Sequence, residues 1–132
     1  MAQSSLVKKL RIKPGQRLLI LNPPSGYVES LGSLPEGVVV SESPEGKFDF
    51  VHLFVKDSSQ LDDLGPTAMQ AVEYDGLLWI SYPKRSSKVE TDLTRDVLWE
   101  LMVDRGLRPV TQVSIDAVWS ALRFRPPERV GK

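Results

Sequence analysis

Hydrophobic residues fall along this chain in short runs punctuated by turn-forming residues, with two longer stretches of helical periodicity between them. Residues 17–21 (RLLIL), 38–40 (VVV), 48–55 (FDFVHLFV) and 77–82 (LLWISY) are continuous apolar or β-branched runs. Runs of that length, apolar on both faces and bounded by turns, suit buried strands of a parallel sheet. The turns come from Pro14-Gly15, residues 22–26 (NPPSG), Pro35-Glu36-Gly37, residues 43–46 (SPEG) and Asp75-Gly76. Residues 4–10 (SSLVKKL) predict one or two helical turns capped by Ser4 or Ser5, and residues 27–31 a short helix ended by Gly32.

After Asp57-Ser58-Ser59, the side chains of Leu61, Leu64, Ala68, Ala71 and Val72 share one helical face, with a break or kink predicted at Gly65-Pro66. A polar loop over 83–90 (PKRSSKVE) precedes a second amphipathic helix. Thr91 or Asp92 is its predicted cap, Leu93, Val97, Leu98, Leu101 and Met102 its core stripe, and Gly106 its stop. Residues 110–115 and 119–125 predict a closing antiparallel hairpin around Asp116-Ala117, and residues 126–132 a frayed tail. Strands alternating with helices indicate an α/β domain with a mostly parallel sheet and right-handed crossovers.

Composition narrows the chemistry. Lys plus Arg and Asp plus Glu both number 17 in 132 residues, so the net charge is zero and no bulk attraction to nucleic acid or an anionic membrane follows. The absence of cysteine excludes disulfides, thiolate catalysis and cysteine zinc sites, and a single histidine excludes a multi-histidine metal site. The apolar runs are far shorter than the ~20 residues that span a bilayer, and no signal-peptide run opens the chain. A cytoplasmic protein with no membrane partner is the expectation. Basic residues collect at the ends, at Lys8, Lys9, Arg11, Lys13 and Arg17 and again at Arg123, Arg125, Arg129 and Lys132, as solvated termini commonly do.

The stretches "LRIKPGQRLLIL", "FDFVHLFV", "DGLLWISYPK", "RGLRPV" and "WSALRF", in that order, resemble the core of a Rossmann-like methyltransferase. More narrowly, "KKLRIKPG", "LNPPSGY", "LGSLPEGV", "VHLFV", "DGLLWISYPK" and "TDLTRDV" resemble an uncharacterised bacterial domain-of-unknown-function family. The resemblance implies a three-layer Rossmann-like α/β fold in one domain over 1–132. Its mostly parallel sheet would have about six strands and a C-terminal antiparallel hairpin, with residues 1–13 as a helical lead-in. In the methyltransferase class it also implies S-adenosylmethionine, bound by a glycine-rich turn after the first strand. Here that turn is Asn22-Pro23-Pro24-Ser25-Gly26, with one glycine and two prolines that donate no N–H. Only Glu42 stands where an acid for the ribose hydroxyls is expected, and the stretch between the second and third strands is too short for the usual extra strand and helix. The expectation is therefore no cofactor.

In open α/β sheets ligands sit at the carboxyl ends of the strands, where strand order reverses. Residues 22–27, 55–59 and 82–91 converge there. In the first loop Asn22, Ser25 and Gly26 offer hydrogen-bonding groups and Tyr27 a stacking face, or the segment is simply a rigid turn. In the third, Lys84, Arg85, Ser86, Ser87, Lys88 and Thr91 precede a helix N-terminus, an arrangement that favours an anion; the plain alternative is a charged loop with capping residues. Neither a catalytic residue nor a metal ligand stands out. His52, among apolar neighbours, reads as a structural histidine. Trp99 and Val103 fall off the core stripe of their helix and offer an interaction surface, including self-association as a homodimer. The reading is a non-catalytic methyltransferase-like domain that binds a protein partner or a small anionic ligand. The alternatives are a reduced S-adenosylmethionine-dependent methyltransferase, or a nucleic-acid or regulatory partner protein using the basic ends.

Overall fold

Six strands form one sheet in the order β2-β1-β3-β4-β6-β5. The computed structural model describes residues 5–131, so Ser4 and Lys132 lie outside the described residues. The chain runs α1 (Ser5–Lys9), β1 (Arg17–Leu21), α2 (Tyr27–Ser30), β2 (Val39–Ser41), β3 (Phe48–Phe54), α3 (Ser58–Ala71), β4 (Val72–Pro83), α4 (Arg95–Val103), β5 (Arg108–Ser114) and β6 (Trp119–Arg125). β2, β1, β3 and β4 pair in parallel, and β6 runs antiparallel to both β4 and β5.

The alternation of side chains along the strands divides the core in two. Leu19, Leu21, Val51, Leu53, Leu78 and Ile80 face α3 and α4, where Leu61, Ala68, Leu98 and Met102 close over them. Leu18, Ile20, Phe50, Phe54 and Trp79 face the other way, under Leu6, Val7 and Leu10 of the lead-in and Tyr27 and Leu31 around α2. The sheet is thus covered on both sides, which is why its central strands read as unbroken apolar runs.

Several expectations are corrected. The helix predicted to break at Gly65-Pro66 is continuous from Ser58 to Ala71. Pro66 is exposed, as is Asp62 one turn earlier, so the carbonyl left without its helical donor faces water. On the inner face Gly65 packs against Leu61, and the burial of Leu61, Ala68 and Ala71 holds the two halves in line. β4 starts at Val72, directly after α3, and Asp75-Gly76 is a bulge inside it rather than a turn before it. Pairing passes from Phe48↔Val72 to Phe50↔Leu77, so five steps along β4 match two along β3. α4 is capped by Thr94, whose side chain accepts from the Val97 N–H, and not by Thr91 or Asp92. Val97, placed in the core stripe by periodicity, is exposed.

The tail also departs from expectation. Residues Pro127–Arg129 form a single 3-10 turn. Glu128 accepts from the Tyr74 hydroxyl at 2.6 Å, and Arg129 joins Arg125 on the Asp75 carboxylate at 3.1 and 2.9 Å. The two guanidiniums hold the Asp75 carboxyl down at about 2, the Arg125 hydrogen bond being the larger cause.

The bulge yields a test. A Cβ on Gly76 would lie 3.0 Å from the Glu73 carbonyl oxygen and 3.1 Å from that of Asp49, both backbone atoms that cannot swing aside. Gly76→Ala is expected to destabilise the fold by about 2 kcal/mol, read as a lower urea midpoint. An unchanged midpoint would show that the bulge relaxes freely.

Candidate functional site

Strand order reverses between β1 and β3, because the chain leaves β1 towards the β2 edge and leaves β3 towards β4. The carboxyl ends of these two strands therefore flank the crevice where ligands of open α/β sheets sit. Here side chains of the protein bridge it. Asn22, in the left-handed region at φ 56°, donates its amide to the Phe54 carbonyl at 2.9 Å and to Gln60 Oε1 at 3.4 Å. Gln60 Oε1 also accepts from the Lys56 N–H at 2.7 Å, and Asp57 caps α3 through the Gln60 N–H. Ser25 and Gly26 are exposed at the rim, with Gly26 at φ 87° beginning α2.

Tyr27 does not offer a stacking face. It is buried, its ring lies edge-on to both His52 and Phe54, and its hydroxyl meets His52 Nδ1 at 2.6 Å. His52 Nε2 meets the Ser81 hydroxyl at 2.6 Å. A buried polar chain thus ties α2 to β3 and β4 beneath the crevice. Burial raises the Tyr27 hydroxyl far above its ordinary value and lowers His52 to about 3, so both are neutral in ordinary buffers.

The polar loop after β4 splits into two environments. Lys84, Arg85 and Ser86 line an open cleft of about 670 Å³ together with Tyr82, Thr94 and Arg95, opposite Gln112 and Ser114 of β5 and Ser120 of β6. The hairpin comes here because β6 lies antiparallel to β4, with Pro83 opposite Trp119 and Tyr82 opposite Ser120. Lys84 donates to the Ser114 hydroxyl at 2.6 Å, and the Gln112 amide donates to the hydroxyls of Tyr82 and Ser120 at 3.1 Å each. Three cations line this cleft, and none of its lining residues is acidic. Arg85 is exposed, Tyr82 is buried apart from its cleft-facing edge, and burial raises the Tyr82 hydroxyl, which keeps it a neutral donor.

Ser87, Lys88 and Thr91 stand apart from that cleft. The Ser87 hydroxyl closes the loop by donating to the Lys84 carbonyl, and Lys88 ends the turn at φ 62°. Thr91 lies in a neighbouring hollow with Lys56, Ser58 and Asp92. Asp92 accepts from both the N–H and the hydroxyl of Ser58 at the start of α3. Those bonds hold its carboxyl below the ordinary range and anchor the far end of the loop. Trp99 is 44% exposed beside a shallow groove formed with Arg95 and residues 109–112, and Val103 is half-buried.

Arg95, Gln112, Ser114 and Ser120 lie outside the segments expected to converge, and Tyr82 opens the third of them without having been singled out. Their one signal was polarity inside strands, at Ser120 between Trp119 and Ala121 and at Gln112 between Thr111 and Val113.

No protein-family model and no curated protein matches the chain by sequence. Solved structures do match by shape. N-methyltransferase NodS from Bradyrhizobium japonicum WM9, in complex with S-adenosyl-L-homocysteine, aligns with a TM-score of 0.62 at 14% identity over 92% of this chain and 83% of its own. The fibrillarin pre-rRNA processing protein of Methanococcus jannaschii gives 0.61 at 15% identity over 94% and 76%. A DhpI complex with S-adenosyl-L-homocysteine gives 0.62 at 12% over 89% and 79%. The chain has a methyltransferase-like Rossmann fold.

Identities this low speak for the fold alone, and the expectation of no cofactor gains no support from neighbours solved with S-adenosyl-L-homocysteine. The fit of such a cofactor is a question for the residues. Glu42 is exposed just past β2, where the resemblance expects an acid for the ribose hydroxyls. The turn after β1 does not suit the rest: Pro23 and Pro24 lack N–H groups, Asn22 is engaged across the crevice, and Tyr27 packs inward. The residues do not fit the cofactor as arranged. Among the described residues no cluster of three His, Cys, Asp or Glu is placed for a metal, and no helix is long and apolar enough to cross a membrane.

Proposed function

We propose that this chain is a methyltransferase-like domain with a non-catalytic role, binding a small anionic ligand in the cleft between the β4–α4 loop and the β5–β6 hairpin. The observation that carries this reading is the gathering of Lys84, Arg85 and Arg95 around one hollow whose lining contains no acid. Among the described residues Lys84 and Arg85 have no acidic partner and Arg95 meets only the exposed Asp96 at 3.4 Å, so the cations repel one another and a bound anion relieves that repulsion. The first turn of α4 adds its own positive end, since only the Val97 N–H is claimed by the Thr94 cap. The hollow has the size of ordinary small-ligand sites, roughly 300–1,000 Å³.

The test is a melting-temperature panel of phosphate, citrate, S-adenosylmethionine and S-adenosyl-L-homocysteine. A ligand that binds only the native state at a hundred times its Kd adds about 2.7 kcal/mol of stability. Phosphate or citrate is expected to raise the melting temperature of the wild type and not of Arg85→Glu/Arg95→Glu. An equal rise in the double variant would remove the cleft from the account.

The second reading, an S-adenosylmethionine-dependent methyltransferase, is favoured by the fold itself and by Glu42 at the end of β2. Saturable one-to-one heat with S-adenosyl-L-homocysteine in calorimetry would establish it over the first. The narrower likeness to a bacterial family rests on the quoted motifs alone.

A further inference from the structure

Resting on the anion-binding reading of the same cleft, we infer that its ligand is a hydroxyl-bearing phosphate monoester, an anionic head on a sugar-like body, rather than a simple carboxylate. The charge count is the first reason. Three cations and a helix start face the hollow, Asp96 offsets only Arg95, and a monocarboxylate would still leave one cation uncompensated. A phosphate monoester carries about two negative charges and three acceptor oxygens, enough to engage more than one of the donors at once. Arg85 has no side-chain hydrogen bond among the described residues, so its planar fork is free for bidentate phosphate recognition. Arg95 reaches only the exposed Asp96, at 3.4 Å.

The opposite wall supplies the second reason, because it is neutral and rich in hydroxyls. The Gln112 amide spends its N–H donors on the hydroxyls of Tyr82 and Ser120, which leaves Oε1 without a donor among the described residues. Ser114 accepts from Lys84 and so keeps its own proton to give. An acceptor and a donor side by side on one wall match a hydroxyl, which both donates and accepts. The hollow, at about 670 Å³, has room for such a body beyond the phosphate.

Calorimetry with inorganic phosphate, ribose 5-phosphate, ribose and citrate separates the claims. Ribose 5-phosphate is expected to bind about tenfold tighter than inorganic phosphate, and ribose alone to give no heat. Gln112→Ala, checked for unchanged melting, is expected to erase that advantage while leaving inorganic phosphate binding as it was. Arg85→Gln is expected to weaken both phosphate probes about fivefold or more. Equal affinity for inorganic phosphate and ribose 5-phosphate would overturn the sugar-like body, and tighter binding of citrate than of either would overturn the phosphate head; in both cases the anion site would stand. No binding by any of the three anions would remove the anion site and this inference with it.

Discussion

As the pH falls from 6.5 towards about 5, where carboxylates begin to protonate, the wild-type protein is expected to lose stability along a slope approaching about 1.4 kcal/mol per pH unit, and a His52→Gln variant is expected to stay flat. His52 is fully buried, with Tyr27 on one ring nitrogen and Ser81 on the other. Burial lowers its pKa from 6.5 to about 3 in the folded protein. Between those values the unfolded chain takes up a proton that the folded chain refuses. The stability is therefore complete above pH 6.5 and drains away as the pH falls towards 3. The chain holds one histidine, so no second imidazole contributes to this window. Carboxylates such as Asp75, held at about 2, add their own loss only at lower pH. Urea midpoints at half-unit pH intervals read the slope directly. A wild-type curve as flat as that of the variant would mean that His52 is hydrated or protonated in the fold. His52→Ala adds a second effect, because it strands the Tyr27 and Ser81 hydroxyls in the core at about 1–3 kcal/mol each.

Trp79→Ala is expected to cost about 3–5 kcal/mol, the usual range for deleting a fully buried aromatic side chain. Trp79 sits at the middle of β4, opposite His52 on one side and Arg123 on the other, with no exposed surface. Its indole N–H donates to the Leu10 carbonyl at 3.1 Å, joining the lead-in after α1 to the sheet. Trp79→Phe keeps most of the ring volume and removes that bond. It is expected to cost about 1 kcal/mol and to speed amide exchange selectively in residues 6–12. Uniformly faster exchange across the chain would argue instead that Trp79 supports the core as a whole and has no special hold on the lead-in.

These two positions show how far the one-dimensional pattern reaches. "FDFVHLFV" and "LLWISY" are legible as strands from apolar content alone. The pattern does not show that His52 and Trp79 are opposite one another, or that Ser81 and Tyr27 lie within hydrogen-bonding distance of one imidazole. Those relations depend on strand register and on how α2 packs on the sheet, between residues 25 or more apart in the chain, which local preference leaves free.

The candidate site divides in the same way. Lys84, Arg85 and Ser86 were visible because a polar loop before a helix start is a local signal, written in consecutive residues. Gln112, Ser114 and Ser120 were not, because they become wall residues only when β6 pairs antiparallel with β4 and carries β5 alongside. Tyr27, an aromatic after a Pro-Pro-Ser-Gly turn, can be read locally as facing a ligand or as part of a rigid turn, and packing against Phe54 and His52 decided for the core. The sequence by itself determined the α/β class, the parallel strands and the hairpin, because apolar runs, turns and helical periodicity act over a few neighbouring residues. The tertiary structure alone decided strand order, the continuity of α3 through Pro66, the bridged crevice at β1 and β3, and the basic cleft, because each depends on which distant surfaces bury one another.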